Sequence, residues 1–134
     1  MLENLTMCDT DYISPDLEAM TYDVLEYEGN MGFFCRDPIT KHISSVLCVD
    51  TTANENIPNA AETAEIMLLC SSKTNRVSGA TRELFNTVMK YLKSIKKQQV
   101  FLHVAKPSTN KHAIAFYKSL GFELKEKGRM TLSI

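Results

Sequence analysis

The sequence predicts a single α/β (α+β) domain over residues 1–134, and three observations carry that reading: a length that allows one sizeable core, apolar runs of strand character alternating with segments of helical period, and the absence of any repeat or linker. With 44% hydrophobic residues, 5 Gly and 4 Pro, the composition is that of a folded chain. No apolar run approaches the length needed to span a bilayer, and the N-terminal MLENLTMCDTDY lacks the basic-then-apolar layout of a secretion signal. The expectation is a cytoplasmic (intracellular) protein without a membrane partner.

The elements follow in order. SPDLEAMTYDVLEYEG has Ser14 as N-cap, Pro15 at the first helical position, Leu17, Met20, Val24 and Leu25 at helical spacing, and a stop at Gly29, so a helix is predicted over 14–29. MGFFCRD and HISSVLCVD flank PITK as a β-hairpin, and TTANENIPNAAE is a polar loop. TAEIMLLCS is a strand apolar enough to be buried on both faces. After the polar turn SSKTNRVS and Gly79, Leu84, Val88, Leu92 and Ile95 share one face of an amphipathic helix, with Lys90, Lys93, Lys96 and Lys97 mostly off it. QVFLHVA is a further buried strand. NKHAIAFYKSL is a second amphipathic helix closed by Gly121, and FELKEKGRMTLSI is a hairpin turning near Gly128.

A net charge of −1 conceals a division along the chain. Residues 1–70 hold two basic residues against thirteen acidic ones, whereas residues 71–134 hold thirteen basic against three acidic. Such asymmetry fits either two ligands of opposite charge or two solvated faces of one domain. The basic residues lack interleaved base-stacking aromatics, so no nucleic-acid partner is expected. Cys8, Cys35, Cys48 and Cys70 form no CxxC pair, and no metal site is expected.

The stretch NRVSGATREL lies between a buried strand and a helix start. There, N–H groups without intrahelical partners and the positive end of the macrodipole favour an anion, and small residues let its oxygens approach. GxxxxGK[ST] and GxGxxG are both absent.

RVSGAT resembles the R/Q-x-x-G-x-G/A signature of the GNAT acetyltransferase superfamily, and NKHAIAFYKSLGFE resembles that family's N-x-x-A-x-x-x-Y segment followed by LGF. The resemblance spans about residues 62–127. It implies a central mixed, mostly antiparallel twisted sheet flanked by helices, here with a shortened N-terminal region. It also implies acetyl-CoA as cosubstrate, with its diphosphate on the loop and its pantetheine arm between two splayed strands. Mapped by motif, the N–H groups of Val77, Ser78, Gly79, Ala80 and Thr81 would cradle the diphosphate, with Arg76 and Arg82 adding charge. The pantetheine would run along Leu69, Cys70 and Ser71, where the family's strand bulges and a backbone N–H near Leu69 would serve the oxyanion. On the other side it would meet Asn110, Ala113, Phe116 and Tyr117. Asn110 would hydrogen-bond the pantetheine or cap the last helix. Thr81 stands where the family has Gly or Ala.

Amide formation needs a neutral amine, a donor to the carbonyl oxygen and a proton for the leaving thiolate. Tyr117 is the candidate general acid, a phenol protonated at pH 7, with packing beside Phe116 as the alternative. Glu65, eleven residues before Arg76, matches the place of the catalytic Glu in the histone acetyltransferase branch; alternation gives it a face with Met67 and Leu69. Glu62 is the fallback. His103 in FLHV resembles the His of some N-terminal acetyltransferases, but five residues rather than three separate LHV from Asn110. A short N-terminal wall bordered by acidic residues suggests a cationic amine acceptor such as a polyamine, a lysine side chain or a peptide N-terminus. The alternative is a weakly active or inactive CoA-binding or interaction module; a monomer and a homodimer fit equally.

Overall fold

The computed structural model describes residues 5–8, 19, 21–23, 25, 26, 29–37, 39–52 and 60–134. In chain order they form strand β1 (Leu5–Cys8), a helical segment seen at residues 19, 21–23 and 25, β2 (Asn30–Arg36), β3 (Ile43–Asp50), a 3₁₀ turn (Ala60–Glu62) and β4 (Thr63–Ser72). Helices α1 (Lys73–Ser78) and α2 (Ala80–Ser94) follow, then β5 (Gln99–His103), α3 (Lys111–Ser119), β6 (Glu123–Leu124), a 3₁₀ turn (Glu126–Gly128) and β7 (Arg129–Ser133). The Ser14 and Pro15 cap expected for the first helix lies outside the described residues. So does most of the predicted loop after Asp50.

The sheet runs β2-β3-β4-β5-β7-β6, with β1 added along β4. Pairing is antiparallel throughout except for β4 with β5 and β1 with β4. A mixed, mostly antiparallel sheet is therefore present as the sequence implied. Strand β1 was not read from the sequence, because four residues carry too short a pattern to register.

One face of the sheet packs Leu47, Val49, Ala64, Ile66, Val100, Leu102 and Met130 against Leu84, Phe85, Val88 and Leu92 of α2 and Ala113 and Tyr117 of α3. On the other face Ile43, Val46, Cys48, Leu68 and Cys70 form a second cluster, with Leu25, Phe34 and Met67 packed on it. Burial pushes the Cys48 thiol up to about 11, as expected of an inert packing thiol. The predicted stripe of α2 is right at Leu84, Val88 and Leu92 but not at Ile95, which caps the helix and is exposed. Lys97 also departs from expectation. It is buried, and its Nζ donates to the carbonyls of Thr51 (3.1 Å) and Ala61 (2.9 Å), which satisfies the charge that burial would otherwise penalise.

A bulge in β4 decides which residues face which way. Cys48 pairs Leu68 and Val49 pairs Ile66, so Met67 is the extra residue. Glu65 and Met67 share the second face, but Leu69 turns into the first core cluster, so the alternation predicted for Glu65, Met67 and Leu69 breaks at its last member.

Candidate functional site

Strands β4 and β5 pair only at Thr63 with Gln99, Ala64 with Val100 and Glu65 with Phe101. Beyond Glu65 they part, and β4 continues to Ser72 without β5. Splayed strands at this place are what the sequence implied. At Leu69–Ser71 one edge of β4 is taken by β3, so β1, in parallel register from Leu5 with Leu69 to Cys8 with Ser72, lies on the edge that β5 has left. The chain's own N-terminal strand thus runs along Leu69, Cys70 and Ser71. The bulge itself falls at Met67, two residues before the position expected for it.

Of the turn predicted over 71–78, the first two residues end β4 and the rest form the helix α1. Ser72 caps it, its hydroxyl accepting from the Asn75 N–H at 3.2 Å, and the Asn75 side chain donates to Ser44 Oγ (2.8 Å) and Ser45 Oγ (2.7 Å) on β3. This Ser/Asn network, absent from the sequence reading, converts an apparent loop into a helical turn. Its consequence is that the N–H groups of Val77 and Ser78 point back along α1, toward carbonyls one turn earlier.

Gly79 closes α1 and opens α2 with φ 85 and ψ 2, a left-handed conformation that glycine adopts without strain. Among the described residues, nothing lies within 4 Å of where a Cβ would stand there. The first intrahelical bond of α2 runs from the Glu83 N–H to the Gly79 carbonyl at 3.1 Å, so the N–H groups of Ala80, Thr81 and Arg82 lie ahead of the ladder. Thr81 is buried, its hydroxyl bonded to Ser71 Oγ, so it turns inward and leaves the helix mouth open. Arg82 reaches to the end of α3, donating to the Ser119 carbonyl (3.3 Å) and Ser119 Oγ (3.2 Å). It ties two helices together rather than facing the mouth. Arg76 lies on α1, one turn before Gly79.

Tyr117 is fully buried, edge-on to Phe116 (5.6 Å) and Phe122 (5.5 Å). Burial, and next the Cys70 thiol nearby, push its phenol well above the usual range, so it holds its proton at any physiological pH. Ala113 is buried and Phe116 half-buried on the same helix. Asn110 makes no side-chain cap to α3. Its Nδ2 donates instead to the Ala105 carbonyl, pinning the loop after β5.

On the opposite face of the sheet, Glu65 Oε2 lies 3.7 Å from His103 Nδ1, with side chains 30% and 56% exposed respectively. His103 is therefore not the buried strand residue that FLHV suggested. Burial raises the Glu65 carboxyl above its ordinary value; the His103 and Arg129 charges oppose this and Asp50 reinforces it. Glu62 stands apart. It is exposed, in a small hollow with Gln98, Gln99 and Ser133, at the start of β5 rather than its end.

Next to His103 a cavity of ≈ 580 Å³ is lined by His103, Lys125, Glu126, Lys127 and Arg129. Arg129 pairs His103 across β5 and β7, and its guanidinium lies 4.9 Å from the Phe101 ring centroid. These cations were missed in the sequence. The signal existed only as a strand register, which a hairpin with an irregular turn does not reveal.

The chain belongs to the acetyltransferase (GNAT) family, whose model matches residues 2–122. No curated protein matched it in sequence. Among solved structures, a tetramutant of the BH1408 protein from Bacillus halodurans aligns with TM-score 0.64 at 22% identity over 81% of this chain and 69% of that one. GCN5 from Tetrahymena aligns with TM-score 0.64 at 12% identity, covering 87% of this chain and 76% of its own. The ribosomal-protein-S18-alanine N-acetyltransferase from Escherichia coli gives 0.63 at 19% identity, covering 86% and 76%. At these identities the neighbours establish the fold, and family membership supports acyl transfer as its chemistry.

Proposed function

We propose that this protein transfers an acetyl group from acetyl-CoA to a primary amine by direct attack within a ternary complex. The observation that supports it most is the parting of β4 from β5 beyond Glu65 and Phe101, with the open helix mouth at Gly79 at its head. A cleft flanked by the strand edge that β5 leaves and by a helix N-terminus suits a long chain ending in a diphosphate once β1 gives up that edge. The fit is narrower than the motif suggested: the donors at the mouth are the N–H groups of Thr81 and Arg82, that of Ala80 already donating to Ser78 Oγ at 3.4 Å, with Arg76 the basic residue one turn away.

Acetyl-CoA, when bound, supplies the acetyl group already activated as a thioester. Glu65, with a raised pKa, takes the proton of the incoming amine directly or through a water, and His103 beside it shares the role of orienting that proton. The C–N bond forms as the C–S bond breaks. Tyr117 Oη is the proton donor to the departing sulfur. The cationic acceptor expected from the acidic first half gains no support from the cavity beside Glu65, whose lining is mainly basic.

Strand β1 occupies the β4 edge that the pantetheine would use, so the reading requires β1 to yield that edge. This same observation favours a second reading, a non-catalytic module whose cleft is filled by its own chain. Calorimetry with acetyl-CoA and CoA, then thiol release against a panel of amines, separates the two. Hydrogen exchange adds a positional check: saturating acetyl-CoA should strip protection from residues 5–8 while residues 69–72 stay protected. Tight binding with β1 still protected would place the pantetheine elsewhere.

A further inference from the structure

The cavity at the end of β5 has a lining suited to part of a substrate. Three of its five lining side chains are Lys or Arg, one is Glu126, and the fifth is His103, which reaches Glu65. Its cations are not equivalent. Lys125 is engaged by Glu123 at 3.0 Å in an exposed pair. Arg129 is held over the Phe101 ring, its guanidinium carbon 4.9 Å from the centroid, and its Nε is buried with no hydrogen-bond partner among the described residues. A guanidinium fixed by stacking gives up little further freedom when it grips a planar anion, and burial without a partner raises the cost of leaving it unligated.

The turn that presents these residues is set by its backbone. Lys127 (φ 57) and Gly128 (φ 77) are both left-handed, and the Gly128 carbonyl accepts the Val104 N–H at 2.8 Å. A Cβ at Gly128 would fall 2.6 Å from the Val104 carbonyl oxygen and 2.7 Å from Pro107, so only glycine lets the turn press onto the loop after β5. Lys127 and Arg129 thereby join His103 in lining the cavity, and His103 in turn reaches Glu65.

We propose that the acceptor is a small amine carrying a carboxylate a few bonds from its nitrogen, an amino-acid-type substrate. Its carboxylate is received by Arg129 and Lys127 while its amine is delivered to Glu65 and His103. The inference rests on the acyl-transfer reading above and adds the chemical class of the acceptor. The step balances as before: the amine nitrogen gains the acetyl carbon and gives its proton to Glu65, and the sulfur leaves with the proton of Tyr117. The substrate carboxylate takes no part beyond binding.

The test measures thiol release by the full chain with acetyl-CoA and free amino acids, each compared with its carboxamide, together with β-alanine, 4-aminobutyrate and unbranched diamines. Hydrogen bonds to charged groups suggest that acids exceed their amides in kcat/KM by about ten- to hundredfold, chiefly through KM. Arg129→Gln should bring the acids down to the level of the amides, and Arg129→Lys should restore part of the difference. Thermal unfolding of both variants checks that the Phe101 contact has not been lost with the fold. An acid-to-amide ratio near one, or preference for diamines, overturns the inference and leaves acyl transfer standing. Failure to bind acetyl-CoA and to acetylate any amine removes the acyl-transfer reading, and this inference with it.

Discussion

If the mouth of α2 receives a diphosphate, a negative charge at Gly79 should expel it, and a pair of variants isolates that charge. Gly79→Asn and Gly79→Asp differ by little else: both residues tolerate the left-handed conformation better than other side chains, and at this position a Cβ meets nothing within 4 Å among the described residues. Both also serve as helix N-caps, and an acidic residue there interacts favourably with the macrodipole, so the Asp variant should unfold no earlier than the Asn variant. The repulsion follows from Coulomb's law. A unit charge about 5 Å from one phosphate charge, at an effective dielectric constant of about 20, costs roughly 3 kcal/mol, or about 200-fold in affinity. Calorimetry with acetyl-CoA at low ionic strength reads this directly, and added salt should shrink the gap between the two variants. Equal affinities for two well-folded variants would refute the assignment of the diphosphate to this helix mouth.

Tyr117→Phe should lower turnover by about 10²- to 10⁴-fold while leaving acetyl-CoA affinity nearly intact, because the hydroxyl acts only as the thiolate departs; an unchanged rate with chemistry limiting would make Tyr117 a packing residue. Glu65→Gln should remove most activity at pH 7. Since burial raises the Glu65 pKa, activity of the unaltered protein should climb with pH through a midpoint above the ~4.3 of an unperturbed Glu. The sign for stability is opposite: a raised folded-state pKa contributes stability that is full below the unfolded value and lost as pH rises through the folded one. Glu65→Gln should therefore unfold no earlier than the parent at neutral pH, while losing activity. A variant that is less stable and fully active would count against both statements.

Much of the architecture was legible in the residues because it depends on local periodicity. The β2–β3 hairpin, the apolar β4, the α2 stripe through Leu84, Val88 and Leu92, and α3 ending at Gly121 all follow from spacing and from Gly, Pro and Ser signals that act within a few residues. The motif around Gly79 was equally local, and the helix mouth lies where it was read. Where several elements cooperate, local signals do not suffice. SSKTNRVS has the composition of a turn and becomes α1 because Asn75 finds Ser44 and Ser45, about thirty residues earlier in the chain, on β3.

Sequence alone determined the family resemblance, the alternation of elements, and the elements on which Gly79, Glu65 and Tyr117 lie. Only the tertiary structure decided which of the expected donors face outward, that Arg82 is drawn to Ser119 and Asn110 to Ala105, and that Glu65 meets His103 while Glu62 lies apart from it. It also decided that β1 lies along the edge of β4. The physical reason is that periodicity and turn signals are encoded in neighbouring residues, whereas strand register, a one-residue bulge at Met67 and long-range polar contacts are settled by the packing of distant segments.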